Sequence, residues 1–236
     1  MWSLLIPIAV VAGTVTTISG MGGGLLLLLV VTLISGAKQA LAATALALLF
    51  GNLHRVWMYR RELGARVTVP LLLGLAPGSF VGALAAAWIP EQAVHVVMVG
   101  VVALSLARAW AGWTWRLPAS ALTGSGAIIG VLAGAAGGAG FMVGPLVLAA
   151  GLAGRGYLAT VATAAVAMHV ARLIGYGAGG LVTAEVVAQA AVLAPAVLVG
   201  NLVGNHVRDR IPAAYQRLVE HGTPAVCVAL ALAGLG

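Results

Sequence analysis

In a chain of 236 residues that is 62% hydrophobic and only 7% charged, the balance excludes a soluble globular body, and a mean hydropathy of +1.10 puts most of the chain in lipid. Lipid requires backbone polar groups to be satisfied internally, so helices and closed barrels are the two options; the long, non-alternating apolar runs select helices. The net charge of +7 is carried by arginines flanking apolar runs, not by a nucleic-acid-binding face, and the length leaves room for about six to eight crossings with no separate soluble domain.

The opening Met-Trp-Ser-Leu-Leu-Ile lacks a positive region, so the first helix is expected to be retained rather than cleaved. Apolar segments follow at roughly 2–19, 24–35, 39–58, 67–88, 92–112, 119–136, 141–153, 157–176, 183–206 and 219–236. Segments 24–35 and 141–153 are too short to span the hydrocarbon at 1.5 Å per residue. Each follows a glycine cluster, so each is expected to form a hairpin with the helix before it.

The chain also repeats itself. Gly20-Met-Gly-Gly-Gly24 returns about 118 residues later as Ala136-Gly-Gly-Ala-Gly140. Ala42-Ala-Thr-Ala-Leu46 is echoed by Val161-Ala-Thr-Ala-Ala165, Leu75-Ala-Pro-Gly78 by Leu193-Ala-Pro-Ala196, and Ile89-Pro90 by Ile211-Pro212. Matching glycine-broken segments in two halves point to a transporter and to its binding site.

Charge sets sidedness. Arg55, Arg60, Arg61 and Arg66 cluster around one loop, placed in the cytoplasm by the positive-inside rule. Tracing the spans outward from it leaves ten of the 12 basic residues inside, with Lys38 outside and Arg172 within a span. Trp2, Trp57, Trp88, Trp110, Trp113 and Trp115 all fall at span ends, as an aromatic belt requires. On this layout residues 1–116 enter from outside and residues 117–236 from inside. The expected fold is an all-α integral membrane bundle of two inverted repeats, each a glycine-broken helical hairpin plus three spanning helices. Two parallel halves are the alternative, and would put Arg208, Arg210 and Arg217 outside.

Few residues can carry chemistry in such a chain. Gly22, Gly23 and Gly24, and Gly137, Gly138 and Gly140, precede helix starts. Glycine permits a turn and a close approach, and a helix start offers free N–H groups and partial positive charge to an anion. Packing between helices is the competing use of these glycines. Thr44 and Thr163 occupy matching places about one turn into the next helix, where a hydroxyl can meet a ligand or bond back to its own helix.

Arg172, with His169 one turn before it, is the most expensive residue, since an arginine at a helix centre costs about 2.5–3.5 kcal/mol on insertion scales. Glu62, Glu91, Glu185, Asp209 and Glu220 all lie in loops or at span ends, so Arg172 pairs with a carbonyl or an anionic substrate, or snorkels to the headgroups. Arg55, beside Asn52, reads as a cytoplasmic anchor, yet with Arg172 it would also fit two gates on one pathway. Asn52, Asn201 and Asn205 are buried amides that need partners, between helices or along that pathway. His169 is the one protonatable group at depth if transport is proton-coupled, with a structural histidine as the competing reading.

Cys227 stands alone, so neither a disulfide nor a cysteine metal site is expected. There is no HExxH, CxxC or GxxxxGK[ST] pattern, which removes a metalloprotease, a thiol redox centre and a self-contained ATP-driven pump. The expected activity is therefore not enzymatic, with no cofactor and no metal.

These motifs in this order resemble the sulfite exporter TauE/SafE family over nearly the whole chain. The first copy is Gly20-Met-Gly-Gly-Gly24 with Thr44-Ala-Leu46 and Tyr59-Arg-Arg-Glu62; the second is Gly138-Ala-Gly-Phe141 with Pro145 and Thr163-Ala-Ala165. The family's proline after the glycine cluster is present as Pro145 but missing from Leu25–Leu29. The resemblance implies a multi-pass inner-membrane carrier that exports small sulfur-containing anions such as sulfite or organosulfonates. The partners expected are that anion and the lipid bilayer, with no nucleic acid, and self-association into a homo-oligomer left open. A passive anion channel and a non-transporting membrane subunit are the competing readings.

Overall fold

The structure, a computed structural model, describes residues 5–20, 22–110, 121–208 and 210. The tenth apolar segment, Cys227, Trp2, Trp113, Trp115, Arg116 and Arg217 lie outside that set. Nine α-helices follow in order: α1 Ile6–Ser19, α2 Gly23–Ser35, α3 Ala37–Tyr59, α4 Ala65–Trp88, α5 Glu91–Trp110, α6 Ala121–Ala136, α7 Val143–Ala149, α8 Gly154–Ala178 and α9 Ala184–Arg208. Short 3₁₀ turns at Arg60–Glu62 and Gly138–Met142 complete the list among the described residues. Four helices, those of α3, α4, α8 and α9, are long and apolar enough to cross a membrane. The protein is a multi-pass α-helical membrane protein.

The two short helices are short for local reasons. Gly20 caps α1 in the left-handed region (φ 83°), and Gly22 turns the chain into α2 at φ 95°. Gly137 makes the corresponding turn at φ 81°. Side chains rarely adopt such angles. The second hairpin differs at Pro145, which has no N–H and crowds the carbonyl four residues back. That residue is Phe141, and the chain there is a 3₁₀ turn followed by the seven-residue α7.

The bundle is held by backbone-to-backbone packing. On α4, a Cβ at Gly74, Gly78 or Gly82 would strike the carbonyls of Thr123, Ala127 or Val131. On α6, one at Gly126, Gly130 or Gly134 would strike those of Leu71, Leu75 or Ser79. Small residues four apart let membrane helices approach this closely, where burial from water offers no help. Gly200 and Gly204 of α9 meet Val10 and Thr14 of α1 in the same way.

These contacts also give direction. Rising numbers on α4 meet rising numbers on α6, so the two run parallel, as do α1 and α9. The α3–α8 pair is antiparallel, with Leu41 near Arg172 and Glu62 near Gly156. Thr68 on α4 shares a hydrogen bond with Thr160 on α8 (2.9 Å), and Gln39 on α3 bonds Gln189 on α9 (3.2 Å). The two bonds map onto each other under a single sequence offset.

The ends of the bundle are distinct. At one, the Ala37 N–H donates to Glu91 Oε1 (2.7 Å) and Lys38 to the Ala87 carbonyl (3.0 Å). At the other, Glu62 pairs with Arg155 (3.6 Å) beside Arg60, Arg61 and Arg66. Trp57 and Trp88 project outward near their helix ends.

Candidate anion site

Both glycine tips open on one cavity of about 90 Å³ inside the bundle. One water needs about 10–15 Å³ of such space, so a small hydrated anion fits. Its wall includes Gly22, Gly24, Thr44, Asn52, Arg55, Gly137, Gly138, Gly140, His169 and Arg172 from both halves of the chain. The tips lie side by side rather than end to end: a Cβ on Gly138 would sit 3.0 Å from Leu25, and one on Gly137 would press on Leu28.

Arg172 does not snorkel. It is 4% exposed, donates through Nε to the Tyr176 hydroxyl (3.2 Å) and through Nη2 to the Leu41 carbonyl (3.4 Å). Its guanidinium lies over the Tyr176 ring, 5.5 Å from the centroid. The Tyr176 hydroxyl in turn donates to the Gly134 carbonyl at 2.7 Å. Arg172 also adjoins its own tip, since a Cβ at Gly137 would lie 3.3 Å from Nη2.

Arg55 does not reach the headgroups either. At 1% exposure it is the largest of the fully buried side chains. It donates to Asn52 Oδ1 (3.1 Å) and to the Gly20 carbonyl (3.2 Å), holding the first tip as Arg172 adjoins the second. Its Nε has no hydrogen-bond partner, and neither has His169 Nδ1. Asn52 is itself tied to the Leu48 carbonyl (2.9 Å).

The arginines are staggered. Arg172 meets α3 at the Leu41 carbonyl and Arg55 meets it at the Asn52 side chain, residues about three turns apart on that helix. Both guanidiniums line the same cavity. No carboxylate lines the cavity among the described residues. The acids Glu62, Glu91 and Glu185 stay at helix ends. The lining thus combines two permanent positive charges, the backbone of two glycine turns, and apolar walls from Leu25, Leu28 and Met168. That set suits a small anion.

Gly23, Thr163 and Asn201 are not on the cavity wall. Gly23 packs on α1, where a Cβ would strike the Ala12 carbonyl and the Thr16 hydroxyl. Thr163 returns its hydroxyl to the Ala159 carbonyl (2.8 Å). Asn201 ties three helices together, donating to the Gly51 carbonyl (2.8 Å) and accepting from Thr17 (3.1 Å). Asn205 accepts from the Tyr59 hydroxyl at 3.4 Å. Thr44 lines the cavity while its hydroxyl donates to the Ala40 carbonyl (2.6 Å), and it lies deeper than one turn because α3 starts at Ala37. Two contributors escaped sequence reasoning. Thr16 lines the cavity one turn before Gly20, and Tyr176 supports Arg172 from one turn beyond. Both stood at helical spacing from residues already singled out.

A multi-pass helical bundle with a cationic internal cavity and paired broken helices has the build of a membrane transporter. The family model described as Sulfite exporter TauE/SafE matches residues 5–232, and the chain belongs to that family. No curated protein and no solved structure matches it significantly.

Proposed function

We propose that the protein is a secondary carrier that exports a small sulfur-containing anion, sulfite or an organosulfonate, across the cell's inner membrane by alternating access. The observation that carries this reading is the pair of buried arginines, one from each half, lining one cavity at the two glycine tips with no carboxylate on its wall among the described residues. The anion passes between them, against the glycine-tip backbone where no side chain intrudes. The sulfur chemistry of the cargo rests on the family alone.

Two inverted repeats, 1–116 and 117–236, are the frame we infer. The parallel α1–α9 and α4–α6 pairs support it, because two parallel halves would set α4 against α6. The Thr68–Thr160 and Gln39–Gln189 bonds join α4 to α8 and α3 to α9, the exchanged helix pairs that any two-fold repeat requires. Inverted halves let one bundle rock against the other about the site, opening it to each side in turn. The basic end faces the cytoplasm on charge grounds. No enzymatic role is proposed, since the family is one of transporters.

The test is sulfite exchange by the purified protein in vesicles loaded with sulfite. A carrier gives a rate that saturates with external sulfite and is competed by sulfonates. A rate that rises linearly without limit would make it a channel, and no sulfite-dependent rate at all would leave a non-transporting subunit.

A further inference from the structure

The carrier reading leaves open what drives the return step, and the cavity's charge bears on it. Each guanidinium has five N–H donors. Arg55 spends two, on Asn52 and Gly20, and Arg172 two, on Tyr176 and Leu41. All four acceptors are neutral, and Arg55 Nε has no partner. To pass from one side to the other the path must close around these groups and exclude water. Closing on an empty cavity would strand two charges without a counter-ion, an unfavourable state in a low-dielectric interior. Closing on an anion would not.

Among the described residues nothing else near the cavity supplies the missing charge. No carboxylate lines it among the described residues, and no cluster of three His, Cys, Asp or Glu there could hold a metal cation. Protonating His169, which shares the wall with both arginines, would add a third positive charge to an empty site.

Resting on the carrier reading, we propose that the cavity closes only when it holds an anion, so that the protein is an obligate exchanger. One small anion leaves only as another, such as a halide or inorganic oxyanion, enters from the far side. The anion is needed on the return stroke as much as on the outward one.

Wild-type protein in neutral-lipid vesicles tests this, with the membrane voltage clamped by a potassium ionophore. Entry of radiolabelled sulfite is compared between vesicles filled with sulfite, with chloride, and with sucrose in a zwitterionic buffer. Exchange predicts entry about tenfold or more faster into sulfite-filled vesicles than into sucrose-filled ones, with chloride showing whether a halide serves. Equal entry into sulfite- and sucrose-filled vesicles would overturn the exchange proposal and leave the carrier reading standing. Rapid entry into sucrose-filled vesicles on imposing a proton gradient would overturn it in favour of proton coupling. No entry into any vesicle would overturn the carrier reading and this proposal with it.

Discussion

The two arginines occupy related places in the two halves and are held by unrelated neighbours. Arg55 is gripped by an amide one turn away and by the carbonyl of the first glycine tip. Arg172 rests on a tyrosine that is itself anchored to α6, and reaches across to α3. The side chains around them differ; what the two places share is a buried cation beside a left-handed glycine turn. The comparison locates the common requirement in charge and backbone shape.

The largest effect should come from removing either cation. Arg172→Gln and Arg55→Gln are each expected to lower sulfite exchange by about a hundredfold, the range seen when one partner of a buried charge interaction is lost. Because both cations line one cavity and would act on one anion as a unit, the double variant should be little worse than either single one. Exchange by correctly inserted Arg55→Gln at wild-type rate would break the equivalence and reduce Arg55 to a brace for the Gly20 tip.

A smaller effect is expected from supplying the missing acid. Asn52→Asp would put a carboxylate where Arg55 already bonds, forming a charge-assisted pair that competes with the substrate. Exchange should fall about tenfold while thermal stability in detergent holds or rises. An unchanged rate would show that the anion never depends on Arg55.

The threonines provide the smallest contrast. Thr163→Val should leave exchange unchanged, since that hydroxyl is off the cavity and bonded within α8. Thr44→Val should change the apparent affinity for sulfite by less than about threefold, because its proton is committed to the Ala40 carbonyl. A tenfold loss at Thr44 alone would mean that the hydroxyl turns to donate to the anion.

Much of the scaffold was legible in the chain. Apolar runs bounded by glycine, proline and arginine located all nine helices within a few residues, and the lengths of 24–35 and 141–153 already marked two as too short to cross. Glycine clusters announced the turns because positive φ angles are a local demand. The missing proline in Leu25–Leu29 anticipated that the two hairpins would differ, and Pro145 follows the 3₁₀ entry to the second.

Which face of each helix looks inward was another matter. In a soluble protein polarity separates the faces, but lipid and bundle core are equally apolar, so these helices are apolar all round. Thus Gly22, Gly23 and Gly24 look alike in the sequence, yet Gly22 and Gly24 open on the cavity while Gly23 is a packing contact on α1. Thr44 and Thr163 repeat in the chain and part company in the bundle. Arg55 read as a surface anchor because its distance from the basic loop is short, and only the packing of α1, α3 and α8 around it turns it inward. Composition and local backbone demands determined a helical membrane protein with two glycine-broken hairpins. The meeting of those hairpins at one cavity lined by two buried cations was decided by tertiary packing, because contacts between distant helices are not encoded in any local run of residues.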